Sequence, residues 1–524
     1  MSNRIYNILF HLHTVSGIVI SAVLFVIFFT GSFSFFRDEI ISWERNQPVE
    51  IRDEISLGLD QVLDSIDSQH TLYGRSVSFK HVYNENSINV RLQPSQDSLA
   101  SEKAKASQFF YLDMQTDDTH TYAEAYSLGE FLYRLHFLAQ IPYPAGYYLS
   151  GFTAFFFLFA IVTGVLVHWK KIVSNFYLFR PWDKLKTLWT DAHTALGMIG
   201  LPFQFVYALT GAFFMIKLLL VAPGVLMLYG GNQGKLYQEL GYDAPSYTFE
   251  NKKLDSDISV DALVAQTKAE WEGFKVTEVK VIHAGDSNMH IVVDGNLAIK
   301  DQFTSSGRKI FKASTQEVVY SKSPITDMGY IDHAKNILYR IHFGDYGGYA
   351  LKVISFILGI VTCFVILSGV MIWLVARDKK NVPEKRKRFN AWVVRIYMGI
   401  CLSMYPVTAA SFVAVQLNNP AGMSFIYQFY FISWLVLSIV FIAINNNAFI
   451  NRFSLLLGGM IGLLIPLVNG LVTGNWIWVS YAKGYDQIFV VDVFWILISV
   501  LTIAISFKLQ KKIINAKSMS KAYS

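Results

Sequence analysis

The chain has 524 residues, of which 53% are hydrophobic, 15% aromatic and only 16% charged. Charged side chains make up about a quarter of a typical soluble domain, so this composition excludes an ordinary soluble enzyme and indicates an integral membrane protein. Apolar runs long enough to cross a hydrocarbon core of roughly 30 Å predict eight spans, near 9–36, 145–169, 192–222, 348–376, 390–416, 424–444, 450–473 and 487–508.

The net charge of +6 is concentrated in short loops between the predicted spans. Lysine and arginine accumulate in loops 170–191 and 377–389 and in the tail 509–524. Because short basic loops stay on the cytoplasmic side, these segments and both termini are predicted to be cytoplasmic. The basic runs therefore serve as topology signals beside lipid headgroups, and no nucleic-acid partner is expected. We expect the first apolar run, in 1–37, to be a retained anchor in a bacterial inner membrane.

The two long polar segments, 38–130 and 223–338, are then predicted to lie in the periplasm. Alternating apolar and polar residues in both segments, as in 76–82 and 276–282, indicate half-buried strands beside helical pieces. Each half of the chain is thus expected to carry one small α+β module. The segment 390–508 adds four further spans.

Several chemistries are missing from the sequence. The only cysteines, Cys363 and Cys401, lie in apolar spans, which excludes disulfides between the outer segments and cysteine-ligated iron–sulfur clusters. No Gly-x-Gly-x-x-Gly follows a strand, and there is no Walker loop, zinc-protease helix or nucleophile elbow. The glycines of Gly458–Gly462 are predicted to pack helices. Electrons for any redox chemistry must come from membrane quinol or a separate donor.

A parallel internal repeat places histidines at the ends of the spans. The sequence HTVSG at His13–Gly17 recurs as HTALG at His193–Gly197, and a Thr-Gly pair follows in each copy, at Thr30–Gly31 and Thr210–Gly211. Because the repeat is parallel, equivalent histidines are expected at one membrane depth. His13 and His193 are therefore predicted to share the inner rim.

A second motif precedes the second span of each half. YRLHF at Tyr133–Phe137 recurs as YRIHF at Tyr339–Phe343. Two prolines and a glycine follow the first copy, and glycines follow the second, so each histidine is expected on a short outer helix that ends before the span begins. The predicted boundaries are 131–169 and 339–376, and His136 and His342 are predicted to share the outer rim.

Imidazole at a membrane boundary is costly to bury and is a good ligand for iron. Two symmetric pairs therefore suggest two bis-histidine haems, with His13 and His193 as axial ligands of the inner haem and His136 and His342 of the outer one. Glycine one helical turn after each inner ligand, at Gly17 and Gly197, would leave room for a porphyrin edge. Arg134 and Arg340 are candidate partners of haem propionates, or of lipid phosphate. No catalytic acid or base is predicted.

Other polar residues in or near the spans leave alternatives open. His11 and His168 compete as inner ligands, and Asp492 is either a proton or quinone-headgroup partner or a structural partner of Asn469. Surface or folding roles are expected for the remaining histidines, of which His333 is close enough to His342 to stay a candidate: His70, His81, His120, His283, His290 and His333.

With these motifs, residues 1–380 resemble the PepSY-associated transmembrane family, which includes inner-membrane reductases of ferric siderophores. The resemblance implies two b-type haems in a four-helix core, with the two α+β modules outside. The four extra spans of this chain, in 390–508, distinguish it from the shortest members of the family.

The expected function is one-electron transfer to a periplasmic acceptor, with ferric iron in a siderophore or other chelate as the acceptor that the resemblance implies. Two alternatives belong to other classes. One is a haem-free membrane anchor whose outer modules bind a peptide or regulate a peptidase. The other is a transporter that uses the polar residues of the C-terminal bundle.

Overall fold

The computed structural model describes residues 2–46, 52–82, 86–171, 180, 185–239 and 246–522. The helices of this described part are, in chain order, α1 (Asn3–Ser34), α2 (Arg37–Arg45), α3 (Leu59–His70), α4 (Glu102–Lys105), α5 (Leu128–His136), α6 (Ala145–His168), α7 (Leu185–Ile199), α8 (Leu201–Tyr229), α9 (Gln233–Glu239), α10 (Val260–Glu270), α11 (Tyr330–Phe343), α12 (Gly348–Arg377), α13 (Glu384–Leu417), α14 (Met423–Ile444), α15 (Asn447–Thr473), α16 (Ile477–Ala482) and α17 (Asp486–Ala522). The strands are β1 (Val77–Lys80), β2 (Ser87–Leu92), β3 (Gln108–Asp113), β4 (Thr119–His120), β5 (Phe274–Ile282), β6 (His290–Leu297), β7 (Gly307–Lys312) and β8 (Glu317–Lys322). The chain divides into a membrane unit (Met1–Pro48, Tyr126–Ala222 and Gly347–Ser524) and an outer unit (Val49–Ala125 and Pro223–Tyr346).

The membrane unit is polytopic and helical. Within the described residues, seven helices are long and apolar enough to cross a membrane, and a bent pair of helices brings the number to eight if it forms one span. The prediction of about eight membrane-spanning helices is thereby confirmed. The helix ends lie within about seven residues of the predicted spans, apart from the end of α17, which continues past the predicted 508 to Ala522.

The third predicted span is not one straight helix. Its two parts, Trp189–Ile199 and Leu201–Lys217, meet at an angle of 70°. The break falls at Gly200, and Pro202 stands in the first turn of α8. Proline lacks the N–H that would continue a helix from the preceding turn, and glycine adds backbone freedom at the same point. The sequence predicted an unbroken span over 192–222, and the bend corrects that expectation.

The short helices that carry the second histidine motif end as predicted. In the membrane unit, Ser127 caps α5 by accepting the Glu130 N–H at 3.1 Å, and α5 ends at His136 before α6 begins. In the outer unit, α11 ends at Gly344, which adopts a left-handed φ of 64° and donates its N–H to the Arg340 carbonyl at 2.8 Å. Glycine is the residue that adopts this conformation without strain.

The outer unit joins the two predicted modules in one antiparallel sheet. The strand order is β4-β3-β2-β1-β5-β6-β7-β8, and β1 of the first segment pairs with β5 of the second, with Phe79 opposite Val279. Both side chains are fully buried in a shared apolar core. Pairing β1 with β5 removes the exposed edge that each module would otherwise present. The sequence showed the strands but not this pairing.

Two helices of the outer unit cap each other. Asp261 at the start of α10 accepts the backbone N–H of Leu59 at 2.9 Å and of Asp60 at 3.1 Å. Asp60 in turn accepts the backbone N–H of Val260 at 2.6 Å. Each carboxylate thus satisfies donors that begin the other helix, which ties the two segments together.

In the membrane unit, α2 holds the start of α5. Glu44 is buried and accepts the Leu128 N–H at 2.7 Å, while Arg37 and Glu130 form an ion pair at 2.8 Å. Gly129 allows this approach, because a Cβ there would lie 2.7 Å from the Arg37 carbonyl oxygen. Helix α5 is therefore fixed at its first turn by both polar ends of α2.

Burial raises the pKa of the Glu44 carboxyl to about 8, from an ordinary 4.5, and the Leu128 N–H and Arg45 oppose the shift only in part. The folded protein then holds this proton more tightly than the unfolded chain. Its contribution to stability is present below the unfolded pKa and is lost as the pH rises through the folded pKa.

We therefore expect the melting temperature of the full chain in detergent to fall between about pH 5 and pH 8, and to fall less in Glu44→Gln. Glutamine keeps an oxygen that accepts the Leu128 N–H but cannot ionise. Glu384→Gln, at an exposed position, is the matched control. A Glu44→Gln profile parallel to that of the unmodified protein would refute the assignment.

Candidate functional site

His13 on α1 lies against α6. Its Nδ1 is 2.8 Å from the Ala160 carbonyl oxygen. The imidazole covers Gly164, where a Cβ would lie 3.0 Å from the His13 Cε1. The ring therefore occupies space on α6 that a larger residue would fill.

His193 on α7 has the same relation to α12. Its Nδ1 is 2.9 Å from the Val365 carbonyl oxygen and 3.1 Å from the Ser368 hydroxyl, which itself donates to that carbonyl at 2.8 Å. A Cβ at Gly369 would lie 3.2 Å from the His193 Cε1. His13 and His193, which are equivalent in the sequence repeat, therefore make equivalent contacts in the structure.

His136, at the end of α5, repeats the arrangement on α1. Its Nδ1 is 2.7 Å from the Ile27 carbonyl oxygen, and a Cβ at Gly31 would lie 2.5 Å from the same nitrogen. Gly31 belongs to the first Thr-Gly pair, so that motif provides the surface on which the imidazole rests.

In all three cases the carbonyl acceptor stands four residues before the glycine. A helical side chain leans toward the N-terminus and covers the preceding turn, so glycine leaves that turn's carbonyl open to a second donor. A carbonyl oxygen only accepts, hence Nδ1 of each histidine carries the proton and Nε2 keeps its lone pair. Hydrogen bonding of this kind at one ring nitrogen is typical of histidines that bind a metal through the other. The sequence displayed these glycines but not their role.

The two inner histidines meet each other. The ring centroids of His13 and His193 are 6.3 Å apart, with an interplanar angle of 73°. Two imidazoles on opposite sides of one metal, at metal–nitrogen distances of roughly 2 Å, have centroids about 6 Å apart. In the part of the chain that is described, neither Nε2 has a hydrogen-bond partner. The pair thus fits two axial ligands of one metal.

No group of three or more histidine, cysteine, aspartate or glutamate side chains that could hold a metal ion occurs among the described residues. Two imidazoles alone are a sparse ligand set for a bare ion. A metal that brings four nitrogens of its own, as in a porphyrin, would need only two ligands from the protein, a number that His13 and His193 could supply.

The competing inner histidines differ in position. His168 lies within electrostatic reach of both His13 and His193, whereas His11 is exposed. His168 is therefore a neighbour of the inner pair, and its role as an alternative ligand stays open.

The other predicted site residues are placed as follows. A Cβ at Gly17 would meet none of the described residues within 4 Å, and one at Gly197 would lie 3.9 Å from Val365. Arg134 lies over the Phe137 ring, with 5.6 Å from its guanidinium carbon to the ring centroid. None of these distances tests whether Gly17, Gly197 and Arg134 contact a cofactor, so those contacts stay predictions.

His342 is half-buried on α11, in the outer unit, and its pairing with His136 stays a prediction. Arg340 on the same helix forms an ion pair with Asp345. His333 bonds the Thr304 hydroxyl at 2.7 Å.

Buried histidines of the sheet have structural partners. His290 stacks on Tyr247 with 3.4 Å between ring centroids, and His283 bonds the Tyr247 carbonyl through Nε2 at 2.8 Å. Both rings therefore have partners within the outer unit, and the surface or folding roles expected for these histidines stay predictions.

Asp492 is fully buried and hydrogen-bonded on both oxygens. Asn469 donates to one oxygen at 2.8 Å, as the structural alternative predicted, and the Trp43 indole N–H donates to the other at 2.8 Å. Trp43, on α2, is a partner that the sequence did not indicate.

The chain belongs to the PepSY-associated transmembrane family. The family model, described as the PepSY-associated TM region, matches residues 10–376. A Pseudomonas aeruginosa protein named Uncharacterized protein PA4219 is 23% identical over 303 residues, which cover 55% of this chain and 72% of that protein. The matched family region contains all four motif histidines and ends before α13.

The contact between Gly31 and His136 gives a direct prediction. In Gly31→Ala the new methyl group would lie 2.5 Å from the His136 Nδ1, so the ring has to shift and its bond to Ile27 is lost. Overpacking of this kind costs about 1–3 kcal/mol.

We expect Gly31→Ala to lower the melting temperature of the full chain in detergent. Gly422→Ala is the matched control, because a Cβ there would meet open space among the described residues. Equal melting temperatures for the two variants would show that the ring does not rest on Gly31.

Proposed function

We propose that this protein is an inner-membrane electron-transfer protein that holds two b-type haems and reduces ferric iron in a siderophore or other chelate on the periplasmic side. The strongest support is that the histidine rings pack against neighbouring helices in the same way at several places. Three of the four motif histidines donate Nδ1–H to a helix carbonyl beside a glycine, and the His13 and His193 rings stand at the spacing that one haem iron requires.

The residues of the inner site would hold the cofactor in a fixed orientation. The carbonyls of Ala160 and Val365 hold the tautomers of His13 and His193, which keeps both Nε2 lone pairs available. The space above Gly17, one turn from His13, would receive a porphyrin edge. A haem bound there supplies a one-electron iron couple.

The outer site is proposed from the sequence repeat and from the hydrogen bond that holds His136 against α1. His136 is held on α1 by Ile27, and His342 occupies the equivalent motif position of the second half. Arg134 and Arg340 are proposed to meet propionates. For Arg340 this requires that its ion pair with Asp345 be shared or exchanged.

Reduction of the chelate needs one electron and no proton: iron(III) becomes iron(II), and the chelate is otherwise unchanged. Hard oxygen ligands hold iron(II) less tightly because its charge is lower, so the iron is released. Membrane quinol or a separate reductase is the proposed donor, and the sheet of the outer unit is proposed to shape the acceptor surface.

Haem content tests the ligand assignment. We expect the purified full chain to contain two haems by pyridine haemochrome, with the visible bands of six-coordinate b haem on reduction. Single alanine variants at His13, His193, His136 and His342 should each lose one haem and keep the other. His11→Ala is the matched control and should keep both. Full haem content in all four variants, or a colourless protein from haem-supplied cells, would overturn the proposal, and the second result would favour a haem-free anchor.

A second prediction concerns the space above Gly17. A Cβ at this position would meet none of the described residues within 4 Å, and the longer side chain of Gly17→Leu would extend into the volume proposed for the porphyrin edge. We expect it to lose the haem that His13→Ala loses, while the melting temperature of the haem-free protein stays unchanged. Gly422→Leu, where a Cβ likewise has none of the described residues within 4 Å, should keep both haems. Two haems in Gly17→Leu would place the porphyrin elsewhere.

A further inference from the structure

The four spans after α12 lie outside the matched family region, yet they contact α2 and α5, and α5 carries His136. Two series of described contacts connect the C-terminal bundle (α13–α17) with α5, and they are called the polar route and the apolar route. Both lie within the membrane unit.

The polar route starts at Asp492 on α17. Its carboxylate accepts the Trp43 indole N–H and the Asn469 amide, each at 2.8 Å, and both Trp43 and Asp492 are fully buried. Gln416 on α13 donates to the Trp43 carbonyl at 2.9 Å. Since an unpaired carboxylate would be costly here, these bonds fix the position of α2 against the bundle.

The polar route continues from α2 into α5. Asn419 donates to the Glu44 carbonyl at 2.6 Å, and the Glu44 side chain accepts the Leu128 N–H at the first residue of α5. Arg37 forms an ion pair with Glu130, two residues further along α5. A displacement of Trp43 would therefore be transmitted to both ends of the α2–α5 contact.

The apolar route reaches α5 directly. Phe131 is fully buried among aromatic rings of α14, with centroids 4.8 Å from Tyr430, 5.4 Å from Tyr427 and 5.6 Å from Phe431. In the repeat, the position of Phe131 is taken by Ile337, whose side chain is 42% exposed. The two ligand-bearing helices are thus supported differently.

We propose that the C-terminal bundle positions His136, with Asp492 and Trp43 as positioning residues that act through α2 and α5 on the outer haem ligand. This inference rests on the proposed function. Partners that orient a metal ligand from outside its immediate contacts change metal affinity by roughly 10- to 100-fold when they are removed. The bundle would accordingly hold the Nε2 of His136 where an axial ligand must stand.

The variants exploit the pairing of Asn469 with Asp492. Asp492→Asn removes one of the two acceptor oxygens, so the remaining oxygen can serve either the Trp43 N–H or the Asn469 amide but not both as now. The double variant Asn469→Asp with Asp492→Asn exchanges the two groups, so an amide again meets a carboxylate and an oxygen again faces the Trp43 N–H, while the donor to the Asn475 carbonyl is lost. It therefore serves as the rescue, and Trp43→Phe removes the donor from the other side.

Variants that retain only one haem allow the effect on each haem to be measured separately. In the full chain carrying His13→Ala, which should retain only the outer haem, Asp492→Asn is expected to speed haem transfer to apomyoglobin by roughly 10-fold and to shift the reduction potential. Rescue by the double variant is expected. In the His136→Ala background, which should retain only the inner haem, neither quantity should change. No change in the first background, or equal changes in both, would overturn the inference.

Hydrogen–deuterium exchange of the haem-free full chain separates this inference from the proposed function. Asp492→Asn and Trp43→Phe should both speed exchange along α5, and the double variant should restore protection, while α12 stays unchanged. A chain that is colourless as purified from haem-supplied cells and still shows this pattern would refute the haem proposal and keep the mechanical link. Unchanged exchange along α5 would refute the link even if both haems are present.

Discussion

The site depends on one interaction, the hydrogen bond from a histidine Nδ1 to a helix carbonyl that glycine leaves uncovered. Inside a membrane there is no water to satisfy an imidazole N–H, so an unpaired donor would be costly. A helix carbonyl already accepts one backbone N–H, but its second lone pair remains available. Glycine, rather than any polar side chain, is what makes that lone pair reachable. The proton on Nδ1 is thereby fixed before any ligand binds.

Because the repeat is parallel, the same hydrogen bond occurs in both halves of the chain, at His13 and at His193. His13 on Gly164 and His193 on Gly369 use the same offset between glycine and carbonyl, so each ring is held at the same place relative to the helix against which it packs. Two helices that face each other then bring their imidazoles to 6.3 Å. An inverted repeat would have placed the equivalent histidines at opposite depths.

Much of the membrane unit was predictable because long apolar runs and duplicated motifs are properties of the sequence itself. The histidines and the motif glycines were visible in this way, and so was the pairing of Asn469 with Asp492. The bend at Gly200 was missed, because a helical pattern continues through it. The partners of Trp43 were also missed, since contacts between residues 449 positions apart leave no local pattern.

The joined sheet of the outer unit illustrates the same limit. Alternation of apolar residues predicted β1 and β5, but each strand has two edges and the sequence does not say which edges meet. Only the structure shows Phe79 against Val279, with reciprocal carboxylate caps between α3 and α10. Sequence patterns predict elements, whereas pairing depends on edges and caps that become complementary in three dimensions.

Within the proposed function, the two haems would have the same axial ligands, so ligand identity alone gives electrons no preferred direction. A difference in potential must then come from what surrounds each ligand. The inner imidazoles rest on the glycines of spans, whereas His136 also ends a short helix held by Trp43, Asp492 and the rings around Phe131. The four C-terminal spans would therefore distinguish the two proposed sites by supporting only one outer ligand, which a symmetric repeat alone does not do.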